Sequence, residues 1–192
     1  IFNYNQAAAV VTTAGSILAV DRSTFIYNDD VFYLGGTDAE ITSSVFYGNH
    51  TAIGCMNSSP LIAGCTFFEN TVRALSSAGD SHPAVVGSIL WYNGDCGSDC
   101  EIDDSGTSLT TVTYSDVKGG WTGVGNIDLD PLFEEAADPH LQPGSPCIDA
   151  ADGDAAPELD LEGNPRADDP GTVDTGVGAI TYADMGAYEY QP

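Results

Sequence analysis

Four cations, three histidines and several paired carboxylates are the side chains through which this chain could act on a ligand. A polysaccharide lyase must neutralise a uronate carboxylate and remove the neighbouring proton. That work needs an Arg or Lys base, or a Tyr/His pair, often with calcium. The cations here are Arg22, Arg73, Lys118 and Arg166, and their spacing places them apart, with no basic groove. His50, His82 and His140 fall in separate loops and read as surface or structural residues. A glycoside hydrolase needs two carboxyls about 5–10 Å apart, one acting as acid and one as base or nucleophile. Asp29-Asp30 and Asp103-Asp104 are adjacent pairs that could serve, although such pairs in loops are ordinarily just solvated. Calcium takes six to eight oxygen ligands. Asp149, Asp152, Asp154, Asp160 and Glu162 crowd into one Gly/Pro/Ala-rich stretch, where Asp152, Asp154 and Asp160 are the expected ligands of Ca²⁺. A solvated acidic loop is the competing reading.

What positions these residues is a repeat. A bulky apolar residue, two variable residues and Asn recur five times, ending at Asn5, Asn28, Asn49, Asn70 and Asn93, with steps of 23, 21, 21 and 23. A period in the low twenties is the mark of a solenoid whose repeats stack in one dimension. Counted from each Asn, the −3 column holds Phe25, Phe46, Phe67 and Leu90. The −5 column holds Ser23, Ser44, Cys65 and Ser88, and the −8 column Val20, Ile41, Ile62 and Val85. The +4 column reads Ala9, Phe32, Ile53 and Ala74, and +6 reads Val11, Leu34, Cys55 and Ser76. One chemical type per column is expected when equivalent residues lie above one another in a parallel ladder. The Asn column predicts a tight left-handed turn and a hydrogen-bonded side-chain stack. The predicted fold is all-β: a right-handed parallel β-helix over residues 1–127, closed by an irregular acidic segment over 128–192. Leu132, Phe133, Ile148 and Tyr188 are expected to pack that segment back on the solenoid, and Trp121 to cover the end of its core.

The coil from Pro60 to Asn70 resembles the right-handed parallel β-helix repeat of the pectate-lyase-like superfamily. Later stretches, Asp160-Leu161-Glu162-Gly163-Asn164-Pro165-Arg166 and Asp184-Met185-Gly186-Ala187-Tyr188-Glu189-Tyr190, resemble the C-terminal region of secreted bacterial proteins with a choice-of-anchor ending. The resemblance implies an extracellular or cell-surface location and leaves the activity open.

Net charge is −25, with four basic residues, and 16 of the 29 acidic residues lie from Asp128 onward. Such a surface repels nucleic acid and anionic membranes, and it fits salt adaptation, calcium binding or solubility. No apolar run is long enough to span a bilayer. The chain opens at Ile1 inside a repeat, so it reads as a piece of a longer secreted protein. Its open first coil is an edge to be capped by preceding residues or by another copy. Cys96 and Cys100 flank a Gly/Asp loop and predict a local disulfide. Cys55 and Cys65 are inward, as free thiols or a bond across the core, and Cys147 reads as a buried thiol.

Beside the Asn column stand Tyr27, Tyr47, Phe68, Trp91 and Tyr92. An exposed aromatic row on a flat solenoid face suits sugar rings or a protein surface, with packing beneath loops as the alternative. The expected role is a non-catalytic extracellular module that adheres to polysaccharide or a surface protein, or self-associates head to tail. The alternative is a fragment of a polysaccharide-active lyase or hydrolase.

Overall fold

The computed structural model describes residues 1–3, 5, 9–94, 101–135 and 137–192. Among the described residues the protein is all-β and has no helix. Each coil carries three short strands. In chain order they are β1 (Phe2–Asn3), β2 (Val10–Thr12), β3 (Ala19–Asp21), β4 (Thr24–Ile26), β5 (Asp30–Gly35), β6 (Glu40–Thr42), β7 (Val45–Tyr47), β8 (Thr51–Met56) and β9 (Leu61–Ala63). They continue as β10 (Thr66–Phe68), β11 (Arg73–Ala78), β12 (Ala84–Val86), β13 (Ile89–Trp91), β14 (Ile102–Asp104), β15 (Thr111–Thr113) and β16 (Asp116–Val117). Strands one coil apart pair in parallel. The result is three sheets: a first in the order β1-β4-β7-β10-β13-β16, a second β2-β5-β8-β11-β14 and a third β3-β6-β9-β12-β15. This is the parallel β-solenoid that the repeat predicts.

Three corners per coil join the sheets, and among the described residues these corners carry left-handed residues. Before the first sheet it is Arg22, Ser43, Gly64, Gly87 or Tyr114; after it, Tyr27, Gly48, Glu69 or Tyr92. After the second sheet it is Gly36, Asn57, Gly79 or Gly106. The ladder Asn is therefore not the left-handed residue, as the sequence suggested; its predecessor is. A left-handed non-Gly residue costs about 1–2 kcal/mol, so each coil must recover that cost at its corners.

The recovery is three polar ladders. At the first-sheet exit, Asn28 Nδ2 donates to Asn49 Oδ1 at 2.9 Å, and Asn49 Nδ2 to Asn70 Oδ1 at 2.9 Å. Asn5 Nδ2 extends the stack to Asn28 at 2.7 Å, and Asn70 Nδ2 extends it to Asn93 at 2.7 Å. The backbone N–H of each Asn donates to the same oxygen above it. The −5 column does likewise: the N–H of Ser23 reaches Ser44 Oγ, that of Cys65 reaches Ser88 Oγ and that of Ser88 reaches Ser115 Oγ. At the third corner the N–H of Thr37 reaches Ser58 Oγ and that of Ser58 reaches Ser81 Oγ. Buried N–H groups that the corner removes from the strand ladder thus find side-chain oxygens, as buried donors must.

Between the ladders lies the apolar core. Phe25, Phe46 and Phe67 stack with centroids 5.0 and 4.7 Å apart, and each is buried. Full burial of one such ring contributes about 2–3 kcal/mol. Trp121 packs on the core at the far end, as expected. The second-sheet columns differ from the count made from Asn. Val10, Phe32, Ile53, Leu75 and Ile102 share one column, and Thr12, Leu34, Cys55 and Ser77 another. Ala9, Ala74, Val11 and Ser76 do not belong there. The two 23-residue coils insert one residue between Asn and the strand, a position that a count from Asn does not locate.

The closing segment folds over the outer face of the first sheet. Phe68, Ile89 and Trp91 form a second core with Leu141, Cys147, Ile148, Ala151, Ala183 and Met185. An antiparallel pair, β17 (Phe133–Glu135) and β18 (Asp138–Leu141), stands at its edge. Phe133 meets Phe68 edge-on at 5.0 Å. Leu132 is exposed and Tyr188 stacks on His140, so of the four anchors expected, Phe133 and Ile148 hold the solenoid.

Candidate functional site

A cleft of about 390 Å³ opens between the first sheet and β17–β18, lined by Phe68, Trp91, Tyr92, Leu132, Phe133 and Gln142. Asp130, Glu134 and Glu135 complete its lining, and all three are exposed. Trp91 and Tyr92 reach it because they follow the inward Leu90 at the end of β13, where the left-handed Tyr92 turns the chain outward. Tyr92 is 55 % exposed and meets Trp91 edge-on at 5.8 Å. Lys118 Nζ sits 4.1 Å from the Tyr92 ring centre and 4.7 Å from that of Trp91. Gln142 Nε2 donates to the Phe133 carbonyl at 2.7 Å and fixes the floor. An apolar floor with carboxylates at its rim suits a ligand with one C–H face and several hydroxyl or ammonium donors.

The structure divides the expected aromatic row. Phe68 and Trp91 are 5 % and 6 % exposed beneath the closing segment, so they present edges to the cleft rather than an open face. Tyr47 is half-buried, stacks on Phe68 at 5.8 Å and is joined to Tyr27 by a hydroxyl–hydroxyl hydrogen bond of 3.1 Å. Tyr27 is exposed, on the far side of Tyr47 from the cleft. The first-sheet column Thr66–Ile89–Asp116 is outward too, yet buried, because the closing segment covers it.

The motif residues of the closing segment have structural tasks. Asp184 accepts the N–H of Asp149 at 2.8 Å and of Tyr190 at 2.6 Å. Gly186 has φ 97°, and its N–H donates to the Gly87 carbonyl. The Ala187 N–H donates to Thr66 Oγ1 at 2.9 Å. Arg166 and Glu189 form a buried ion pair at 2.7 Å, and Arg166 Nε also donates to the Pro157 carbonyl. Asp116 accepts the Cys147 thiol and the Leu129 N–H, and burial pushes its carboxyl up to about 7.

Of the expected calcium ligands, Asp160 is buried and spent on hydrogen bonds. Its oxygens accept the backbone N–H groups of Glu162, Asn164 and Glu189 and the Asn164 side chain. Asp152 accepts the Asp154 N–H, and Asp154 accepts that of Ala179. Asp152, Asp154 and Asp160 do not converge as one carboxylate group. Two other triplets do bring ligand atoms within 4.8 Å of one another: Asp29–Asp30–His50 and Asp149–Asp168–Asp174. No sequence spacing marks the second triplet, because Asp149 and Asp174 meet only through the fold of the segment.

The four cations are dispersed. Arg22 pairs with Asp21, Arg73 with Asp103 at 3.2 Å, and Arg166 with Glu189, while Lys118 covers Tyr92. His50 and His82 pair with Asp30 and Asp80, and His140 lies between Asp138 and Glu162. Cys55, Cys65 and Cys147 are buried free thiols, so no bond crosses the core. The Cys96–Cys100 disulfide lies outside the described residues. Among the described residues no helix is long and apolar enough to cross a membrane.

Comparisons with protein-family models, with curated proteins and with solved structures each returned no match to this chain.

Proposed function

We propose that this chain is a non-catalytic, extracellular or cell-surface module that adheres to glycan through the cleft of Trp91, Tyr92 and Phe133. In this reading it belongs with secreted bacterial β-helix proteins of the pectate-lyase-like type that carry a choice-of-anchor ending. The sequence likeness in Asp160–Arg166 and Asp184–Tyr190 supports that placement, together with the parallel solenoid. The observation that carries the adhesive reading is the cleft itself: aromatic rings at the floor, carboxylates at the rim and a volume of about 390 Å³. The exposed Tyr92 ring takes the C–H side of a pyranose, the edges of Phe68 and Trp91 give an apolar floor, and the carboxylates take its hydroxyl donors. A general acid needs a carboxyl held protonated near neutral pH. The carboxyls that burial raises here, Glu101, Asp116, Asp149, Asp184 and Glu189, do not line this cleft.

The test is incubation with acidic and neutral polysaccharides, with and without Ca²⁺, following chain cleavage and retention of the protein on the polymer. Retention without cleavage, weakened by Tyr92→Ala, is the expected result. New reducing ends or unsaturated products would make the enzyme reading primary. Neither retention nor cleavage on any polymer would move the reading to a protein partner or to self-assembly. One observation favours the enzyme reading. Arg73 stands beside Asp103 on the second sheet, and the Asp30–His50 pair lies two strands away along the Asp30–Thr51–Arg73 column, about 10 Å at rung spacing.

A further inference from the structure

Asp149 differs from the other buried carboxylates of the closing segment. It is 0 % exposed, yet neither of its carboxylate oxygens has a hydrogen-bond partner. Asp160 and Asp184 are as deeply buried, and backbone N–H groups satisfy both. Glu189 has the Arg166 guanidinium. The Asp169 backbone N–H lies near enough to favour the charged form, yet it makes no well-formed hydrogen bond, and a carboxylate out of water with no sound donor and no counter-charge is among the costliest arrangements in a folded chain. Asp149 is moreover aimed at two more anions: one oxygen each from Asp149, Asp168 and Asp174 lies within 4.8 Å of the other two. The Asp174 loop is held over Asp149 by the N–H groups of Thr175 and Gly176, which donate to the Asp149 carbonyl at 2.8 and 2.9 Å. The backbone therefore brings like charges together instead of parting them.

We propose that Asp149, Asp168 and Asp174 form a site for a divalent cation, with calcium the preferred ion. A cation among the three supplies what each oxygen lacks, a positive partner at close range. The donor set is all oxygen and all anionic, which suits a hard ion and disfavours zinc or copper, which take nitrogen and sulfur. Three carboxylates leave further positions to water and carbonyl oxygens, as the six to eight ligands of calcium require. The ion ties the 168–174 loop to the buried Cys147–Ala151 stretch and so fastens the closing segment. The Asp29–Asp30–His50 triplet lacks this argument: its members are mostly exposed, and His50 already pairs with Asp30.

The experiment is calorimetric titration of the chelator-stripped protein with CaCl₂ and, separately, MgCl₂, alongside thermal melts, with no polysaccharide present. The expected result is one saturable site with a melting point that rises on adding Ca²⁺. Asp168→Asn, at an exposed residue, weakens binding at least tenfold and, by removing one of three clustered like charges, raises the metal-free melting point slightly. Asp149→Asn abolishes binding and raises the metal-free melting point, because it removes a buried charge that has no partner. Absence of saturable heat at millimolar CaCl₂ or MgCl₂ overturns the proposal. So does binding that Asp168→Asn and Asp174→Asn leave unchanged, since the ion would then sit elsewhere.

Discussion

The side-chain amide of Asn93 donates to one oxygen of the Glu101 carboxylate at 2.5 Å, while the Asn93 backbone N–H donates to the other at 3.1 Å. Every amide of the Asn ladder points the same way, from Asn5 toward Asn93. The last member therefore offers two donors with no further Asn to receive them. A carboxylate accepts both donors and, when ionised, brings no donor of its own, so it ends the column where another Asn would accept both but present a further amide that needs an acceptor in turn. Burial works against it: Glu101 is 1 % exposed, and its carboxyl is pushed up to about 7. The Asn93 hydrogen bonds and the Lys118 charge only partly offset that rise.

Stability is therefore expected to fall as pH rises through the neutral range. Burial pushes Glu101 and Asp116 up to about 7 in the folded chain, above the ordinary carboxyl values of 4.5 and 3.8. The folded chain then binds more protons than the unfolded one between about pH 4 and 7. Stability from these groups is complete below the unfolded values and is lost as pH climbs through the folded ones. Glu101 alone accounts for at most about 3 kcal/mol. Denaturant melts at pH 5 and pH 8 check this, and Glu101→Gln should show a flatter difference between the two. A chain more stable at pH 8 would contradict it.

Asn70 is expected to matter far more than Asn5. Asn70→Ala strips Asn49 of its acceptor for both the backbone N–H and the side-chain amide, and it empties a fully buried position. Orphaned buried donors and a small cavity together cost about 2–5 kcal/mol. Asn5 is exposed, so water can replace its amide, and Asn5→Ala should cost under about 1 kcal/mol. Urea unfolding of the two variants side by side measures the contrast.

Gly186→Ala should loosen the closing segment. A Cβ there would stand 2.8 Å from Ile89 Cδ1 and 2.9 Å from Thr66 Oγ1, at a φ of +97°. Overpacking and an unfavourable backbone region together cost about 2–4 kcal/mol. Limited proteolysis reads it: faster cuts after residue 128 with the coils still intact. Equal protection in the variant and the parent would refute the packing described.

The buried thiols should be silent. Burial pushes Cys55 and Cys65 up to about 12 and Cys147 well above the ordinary thiol value, and the thiolate is the reactive form. Native protein treated with a thiol reagent should therefore release no more than two equivalents from its five cysteines, and fewer if Cys96 and Cys100 are joined. Denaturation should expose Cys55, Cys65 and Cys147 together.

The solenoid was legible because stacking forces equivalent residues into register, and register is periodic. Phe25, Phe46 and Phe67 could be placed by counting alone. Counting failed at Ala74, since an extra residue in a corner shifts everything after it without changing composition, and Leu75 took the inward place. Propensity assigns the turn at the first-sheet exit to Asn, yet Tyr27, Glu69 and Tyr92 adopt the left-handed backbone, because neighbouring contacts can impose a conformation that propensity disfavours. The closing segment has no period, so its cover over Trp91 and Phe68 left no trace in spacing. Asp149 could not be told from the other acids around it, since what sets it apart is the absence of a donor in three dimensions.

The closing segment touches more than one coil at a single corner. Ser43 Oγ donates to the Leu159 carbonyl, Thr66 Oγ1 accepts from Ala187, and the Gly87 carbonyl accepts from Gly186. These three anchors belong to successive coils. A column whose coils are joined only to their neighbours can be drawn out like a spring, one turn after another. Here a strap crosses three turns on one side, so tension along the axis must strain that strap before any turn parts from the next. The protein is in this respect a spring with its middle windings tied.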